Sequence, residues 1–307
     1  MKIKKRKVDI VIIVYKPNSK IIRLIEKNIR LCPAIIVNNS GKELSFLKST
    51  KNICIINNKI NVGFALGMNQ AIQLSSAEYI LSINPDVELT SRYIDELISI
   101  AETNDRVGIV TGKILDYYNR KVIDRCGDLI LKTRAGEENK QELTVVQEVF
   151  SASAAASLYR RSMLEDIKVE DEYFDADFFC YYEDLDLAWR ARLLGWKVVY
   201  TPKAVAYHIG HSSGQSKAWI KAHSWKNRIW MTIKNDSWTY MLLDLPYIFL
   251  FELYYLLKYI YCYKYFPLIL KKIPSMIRKR RVIQQKKQIR HSALRKYFKS
   301  PSLPNGL

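Results

Sequence analysis

Between Val8 and Val110, strand-length apolar runs alternate with stretches of helical spacing, and that alternation restricts the chain to one class of fold. Val8–Val14 is a β-branched run suited to burial on both faces of a parallel sheet. Asn18 or Ser19 can cap a helix through Leu31, with Ile22, Ile25 and Ile29 at helical spacing, and Pro33 stops it. Ala34–Val37 is a second strand, ending in the turn sequence Asn38-Asn39-Ser40-Gly41. A short helix at Leu44–Lys48, a strand at Ile53–Ile56, a helix at Phe64–Leu74 and the strand Tyr79–Ile83 follow. Thr90 is placed to cap a helix burying Ile94, Leu97, Ile98 and Ala101, and Val107–Val110 is a further strand. Such a sequence requires right-handed crossovers and a mostly parallel α/β sheet with helices on both faces.

From 112 to 150 the pattern is irregular and polar, with β segments expected at Asp128–Lys132 and Val145–Phe150. Leu185–Leu194 reads as a helix, and Val198–Tyr200 and Ala204–His208 as strands. Beyond 215 the strand signals stop, and Ala218–Lys234 and Leu242–Leu270 are helical in character. The expected division is a catalytic domain over 1–215 and a helical C-terminal region over 216–307.

Charge is unevenly placed. The net charge is +19, yet Lys2, Lys4, Lys5, Arg6 and Lys7 supply five of those charges and residues 258–299 supply fourteen, leaving 8–252 balanced. No acid follows Glu252. A nucleic-acid binder or a protein held on an anionic membrane can look like this. The five widely spaced cysteines lack a C-x-x-C pair, which points to a reducing compartment, with the cytoplasm as the expectation.

Four stretches can carry chemistry. Asn61-Val62-Gly63-Phe64-Ala65-Leu66-Gly67-Met68-Asn69 joins a strand to a helix; it is either a tight turn or a place where backbone approaches a phosphate. Asn84-Pro85-Asp86 cannot continue a central strand, so Asp86 is presented at its carboxyl end, where open α/β sheets bind ligands. Asp86 is either a turn residue or a ligand for a hard cation. Tyr181-Tyr182-Glu183-Asp184-Leu185-Asp186 sets aromatic rings beside three acids. That pattern can raise a carboxylate towards general-base duty, and it also makes an acidic helix start in which Asp186 pairs with Arg190. His208, before Gly210-His211-Ser212-Ser213-Gly214, ends a strand; it becomes a second metal ligand if that strand lies beside Asp86.

In this order the motifs resemble family 2 glycosyltransferases, particularly the bacterial rhamnosyltransferase-like branch. The matching residues are Val8–Tyr15, Asn61-x-Gly63-Phe64-Ala65-x-Gly67-x-Asn69, Asn84-Pro85-Asp86, Phe174-Asp175-x-x-Phe178-Phe179, Glu183-Asp184-x-Asp186-Leu187, Arg192-x-x-Gly195-Trp196 and His208. The resemblance implies a GT-A fold, Rossmann-like, with Mg²⁺ or Mn²⁺ held by Asp86 and His208. It implies a nucleotide-diphosphate sugar bound around Tyr15, Asn38, Asn61, Gly63, Phe64, Asn69, Asn84 and Asp86. Asp184 would be the base and Glu183 its support, in one inverting displacement. Two departures bear on the donor: Asn38 stands where the family usually has Asp, and Ser151-Ala152-Ser153-Ala154 replaces a Ser-Gly-Ala. The Gln-x-x-Arg-Trp of processive relatives is absent, which favours adding one or a few sugars.

Met241–Leu270 is apolar but interrupted by Asp244, Pro246, Glu252, Lys258, Lys264 and Pro267, too short between charges to span a bilayer. With its tyrosines and the basic stretch behind it, it reads as an interfacial helix and polybasic anchor. The other reading is a helix packed on the catalytic domain or in a homodimer interface. The leading expectation is transfer of a sugar, rhamnose from dTDP-rhamnose, to a lipid-linked saccharide at the cytoplasmic membrane face. A nucleotidyltransferase would need a Gly-rich basic loop where Tyr15-Lys16-Pro17-Asn18 stands. A nucleic-acid binder would need cations over the neutral body.

Overall fold

The computed structural model describes residues 7–210 and 214–301; the basic cluster Lys2–Arg6 and His211–Ser213 lie outside them. The elements in chain order are β1 (Val8–Val14), α1 (Ser19–Asn28), β2 (Ala34–Asn38), β3 (Ile53–Asn57), α2 (Gly63–Leu74), β4 (Tyr79–Ile83), β5 (Val87–Leu89), α3 (Tyr93–Ala101), β6 (Val107–Asp116), β7 (Ile123–Arg125) and β8 (Asp128–Leu131). Then come β9 (Gly136–Glu138), β10 (Gln147–Glu148), β11 (Ala156–Arg160), α4 (Arg161–Asp166), α5 (Glu183–Leu193) and β12 (Lys197–His208). The chain continues through α6 (Lys217–Asn235), α7 (Trp238–Leu243), α8 (Leu245–Lys258), α9 (Phe266–Lys286) and β13 (Phe298–Lys299).

Among the described residues one ten-stranded sheet runs β10-β12-β6-β11-β4-β1-β2-β3, with β5 beside β12 and β7 beside β6. β1 pairs in parallel with β2 and β4, as expected for a buried β-branched run. Alternation along β1 sends Val8, Ile10, Ile12 and Val14 towards α1 and α3, and Val11 towards α2, α4 and α5. The sheet is therefore covered on both faces. The mixed character comes from β11, antiparallel to both neighbours, β4 and β6.

Several expectations are corrected. Leu44–Lys48 forms no helix but a turn, Leu47 N–H to Leu44 O at 3.1 Å, because so short a segment cannot offset helix nucleation. Thr90 does not cap α3; its hydroxyl donates to Val205 O at 2.7 Å and pins α3 to β12. The strand expected at Val145–Phe150 shrinks to Gln147–Glu148. The two strands at 198–208 are one, bulged between Thr201 and Val205. Beyond that bulge β12 pairs with the end of β6 on one side and with β5 on the other, so that His208 lies opposite both Asp116 and Val87.

The C-terminal helices share a core with the sheet domain. Phe178, Leu185 and Trp189 pack with Trp225, Trp230, Met276 and Phe298. Phe298 reaches Trp189 at 5.4 Å and Phe150 at 5.8 Å between ring centroids, and β13 pairs in parallel with β8. Much of the basic tail is compensated by acids remote in sequence, contrary to the sequence reading. Lys279 pairs with Asp175 (2.6 Å) and Asp177 (3.0 Å), Lys272 with Asp177 (2.5 Å), Arg278 with Glu170, and Arg295 with Asp244 (2.9 Å). Arg280 donates to the carbonyls of Ile233 (2.8 Å) and Asp236 (2.6 Å). By contrast no residue of α7 or α8 is fully buried. Among the described residues no helix is long and apolar enough to cross a membrane.

Candidate active site

The turn after β4 is fixed by its backbone: Asn84 N–H donates to Ala155 O (2.8 Å), and Asn84 O accepts from Val87 N–H (3.1 Å). Asp86, almost wholly buried, then lies one residue before the β5–β12 pairing. Its Oδ1 is 3.4 Å from His208 Nε2. The two sequence-expected ligands therefore come together, from distant parts of the chain, through the pairing of β5 with β12.

A third group holds the imidazole from behind. His208 Nδ1 lies 3.0 Å from Asp124 Oδ2, on β7. Burial lowers the pKa of His208, but the hydrogen bonds and charges of Asp124 and Asp86 outweigh it and push the value up to about 9. Asp124 starts a line of charge. Arg125 approaches Asp124 (3.7 Å), Asp128 (3.4 Å) and Glu138 (2.6 Å). Burial raises the pKa of Asp128 to about 7, with Asp184 adding to the rise and Arg125 opposing it.

Asp184 and Glu183 open α5 and differ in surroundings. Asp184 is half-buried and accepts from the N–H groups of Ala154 (3.1 Å) and Leu185 (2.8 Å). Burial raises its pKa, while these two donors and Arg125 hold it down. Glu183 is buried, its Oε2 has no hydrogen-bond partner, and burial together with the charge of Asp184 raises its pKa strongly. Of the two, Glu183 is the more buried and the more strongly shifted towards its protonated form, while Asp184 keeps two N–H donors and Arg125 that favour its charge. Because Ala155 binds the Asn84 turn while Ala154 binds Asp184, consecutive residues tie the two halves of the site together.

The loop into α5 is strained. Phe179, Tyr181 and Tyr182 have φ of +63°, +65° and +71°. It is held from α6: Asn227 Nδ2 donates to the carbonyls of Phe178 (2.9 Å), Cys180 (2.8 Å) and Tyr181 (2.7 Å), and His223 Nε2 donates to Phe178 O at 2.8 Å. From the other side the N-terminus of α2 donates from Phe64 (2.6 Å) and Ala65 (3.0 Å) to Phe179 O.

The close approach that Gly63 permits is therefore made by this loop. Gly63 has φ of +85°, and a Cβ there would lie 2.6 Å from Phe179 O. Gly63→Ala is expected to cost roughly 1–3 kcal/mol, read as a lower urea midpoint; an unchanged midpoint would show that the loop does not pack there.

The remaining donor-side residues are mostly engaged by neighbouring protein groups. Asn69 bonds the backbone of Tyr173 (3.1 Å) and Phe174 (2.7 and 2.9 Å), a staple from α2 to the segment before the loop. Asn38 donates to Lys42 O (2.7 Å) and Asn57 (2.7 Å) and accepts from Ser40 N–H (3.0 Å). Asn61 accepts from Gly63 N–H at 2.9 Å. Tyr15 stays exposed at the carboxyl end of β1. The sequence reading missed Asp124, Arg125, Asp128 and Asn227; the Asp-Arg-x-x-Asp run of 124–128 was the one local trace of the first three.

Comparison with known proteins identifies the family. Residues 9–168 match the model of glycosyl transferase family 2. The chain is 22% identical over 171 residues to poly-beta-1,6-N-acetyl-D-glucosamine synthase of Staphylococcus epidermidis, covering 56% of this chain and 40% of that protein. It is 27% identical over 197 residues to the low-salt glycan biosynthesis hexosyltransferase Agl10 of Haloferax volcanii, covering 60% and 61%. Against N-acetylglucosaminyl-diphospho-decaprenol L-rhamnosyltransferase of Mycobacterium tuberculosis it is 25% identical over 217 residues, covering 61% and 69%. Among solved structures, GalNAc-T7 with UDP, GalNAc and Mn²⁺ superposes with a TM-score of 0.59 at 10% identity, over 75% of this chain and 48% of that one. Staphylococcus aureus TarS gives a TM-score of 0.51 at 12% identity, over 75% and 40%. These superpositions establish the GT-A type of fold. With more than half of its length matched by the family model, the chain belongs to glycosyl transferase family 2.

Proposed function

We propose that this chain transfers one sugar, with inversion, from a nucleotide-diphosphate donor to a hydroxyl of a lipid-linked saccharide, at the cytoplasmic face of a membrane. Rhamnose from dTDP-rhamnose is the proposed donor sugar. The rhamnosyltransferase relative acts, by its name, on a lipid diphosphate saccharide, which supports that acceptor class. The observation that supports the reading most is the tie through Ala154–Ala155 between Asp184 and the turn bearing Asp86.

Asp184 takes the proton of the acceptor hydroxyl. The oxygen then attacks the anomeric carbon opposite the diphosphate, whose C–O bond breaks. Glu183, neutral beneath, keeps a second negative charge away from the base. The donor set of Asp86 and His208, with Nδ1 already oriented by Asp124, fits Mg²⁺ or Mn²⁺. Among the described residues no three His, Cys, Asp or Glu side chains are arranged to hold an ion, so donor phosphate oxygens would complete the shell. When bound, the cation neutralises charge developing on the leaving diphosphate.

The test is transfer from a panel of labelled nucleotide sugars into bacterial lipid extract, with Mg²⁺ or Mn²⁺ and with EDTA. Transfer of one sugar, lost with EDTA, is expected; transfer untouched by EDTA would remove the metal from the reading, and failure to bind any nucleotide sugar would end it. Asp124→Asn loosens the imidazole, and the metal concentration for half-maximal rate is expected to rise about 10- to 100-fold. An unchanged metal dependence would reduce Asp124 to a structural contact.

A further inference from the structure

Transfer to a lipid-linked acceptor requires a place where that acceptor is held, and any such place rests on the function proposed above. The segment from α7 to the turn Ile260–Tyr265 exposes large apolar side chains, among them Leu242 (70%), Leu250 (63%), Leu257 (77%) and Ile260 (69%). A continuous apolar surface of this kind marks an interaction site. Lys258, Lys264 and Lys271 are exposed along the same segment, with no ion pair among the described residues. Glu252, the last acid in the sequence, is already engaged by Trp225 (2.8 Å) and Arg228. Unopposed cations beside an apolar face match an anionic lipid surface.

One end of this face adjoins the first turns of α6. Lys221 Nζ is 4.5 Å from the Tyr259 ring centroid. His223 contacts Tyr265 at 6.4 Å and stacks on Trp219 at 4.5 Å, with the planes 11° apart. Trp219 in turn meets Tyr181 at 6.3 Å. Tyr181 belongs to the strained loop that delivers Glu183 and Asp184. Aromatic rings thus run from the lipid-matching face to the helix bearing the base. The hydrogen bond from His223 to Phe178 O fixes the imidazole plane, and stacking passes that orientation to Trp219, which remains half-exposed.

We propose that Trp219, with Tyr181 and Lys221, forms the acceptor subsite for a lipid-borne phosphosaccharide. The lipid lies with the bilayer against α8 and the Ile260–Tyr265 turn, an anionic phosphate sits by the exposed Lys221, and a sugar ring packs on Trp219. The saccharide hydroxyl is thereby delivered to Asp184. An indole gives a sugar ring a broad apolar surface, and an ammonium suits a phosphate oxygen. Trp219 acts as a positioning residue.

The test uses the full chain, a labelled nucleotide sugar, and bacterial lipid extract in phosphatidylglycerol-containing vesicles or dispersed in detergent. Trp219→Ala is expected to raise the KM for lipid about tenfold against a much smaller fall in kcat, and to be largely rescued by Trp219→Tyr. Leu257→Asp with Ile260→Asp is expected to abolish vesicle flotation and transfer on vesicles, while transfer in detergent persists. An unchanged lipid KM in Trp219→Ala overturns the subsite. Equal losses on vesicles and in detergent for the double variant overturn the lipid route. A wild type that hydrolyses donor but transfers only to water-soluble saccharides overturns the route while leaving glycosyl transfer standing. One that binds no nucleotide sugar overturns both.

Discussion

Asp184→Asn lowers the transfer rate by about a thousandfold with donor binding intact. That is the loss expected when a general base is replaced by an isostere that cannot accept a proton, and it corresponds to roughly 4 kcal/mol of barrier. Ala154 N–H bonds one carboxylate oxygen and Leu185 N–H the other, so the amide keeps only one of these two acceptances, and donor binding by the variant checks that the rest of the site is retained. Glu183→Gln is expected to cost far less, because burial and the charge of Asp184 push Glu183 towards its neutral form, which an amide resembles, and its Oε2 makes no hydrogen bond that an amide would break. The pH profile gives a separate check. Burial raises the pKa of Asp184 despite the N–H donors of Ala154 and Leu185 and the charge of Arg125. The base works only when deprotonated, so activity is present above that raised pKa and is lost as pH falls through it. The acid limb of kcat/KM is therefore expected above the ordinary aspartate range and absent from Asp184→Asn. A larger loss in Glu183→Gln than in Asp184→Asn would exchange the roles of the two residues, and equal losses would remove the distinction drawn between them.

The second large effect is on stability. Asp186, wholly buried, accepts from Arg190 (2.9 Å), Lys234 (3.0 Å) and Asn235 (2.7 Å). It joins the base helix to α6, and Lys234 extends the network to Asp175. Asp186→Ala leaves two buried cations short of a counter-charge, a change that costs about 3–5 kcal/mol where one partner of a buried pair is removed. Urea unfolding followed by tryptophan fluorescence is expected to show a lower midpoint at unchanged slope. A loss below about 1 kcal/mol would place the anchoring of α6 in its apolar contacts instead. The pairing of Asp186 with Arg190 was legible from their i, i+4 spacing; Lys234 and Asn235 were not, since nothing local connects positions 186 and 234.

That contrast holds across the molecule. β1, β2 and β4 were readable because a strand buried on both faces must be apolar along its whole length. β11 was not: it follows Ser151-Ala152-Ser153-Ala154-Ala155, a run of small residues with no strand-forming signal, and it is a strand because the space between β4 and β6 demands one. Asp86, Asp184 and His208 stood out through turn chemistry, an acidic helix start and a strand end. Asp124 and Arg125 join the site because β7 pairs with the end of β6, level with the last residues of β12 beyond its bulge. The basic tail misled by a similar route. A count along the chain finds no acid after Glu252, but folding brings Glu170, Asp175 and Asp177 against α9.

The return of β13 to β8 sets an order on biosynthesis. Tyr297 bonds Glu148 across 149 residues at 2.8 Å, and Asn227 holds the loop that opens α5. A ribosome adding about 5–20 residues per second needs roughly 7–30 s to cover that span. Phe150 awaits Phe298 for nearly all of that interval, and Trp189 for the later part of it. A nascent chain stalled before α6 would carry Asp184 without the clamp that shapes its loop, so the loop that opens α5 takes its form only after α6 has been made.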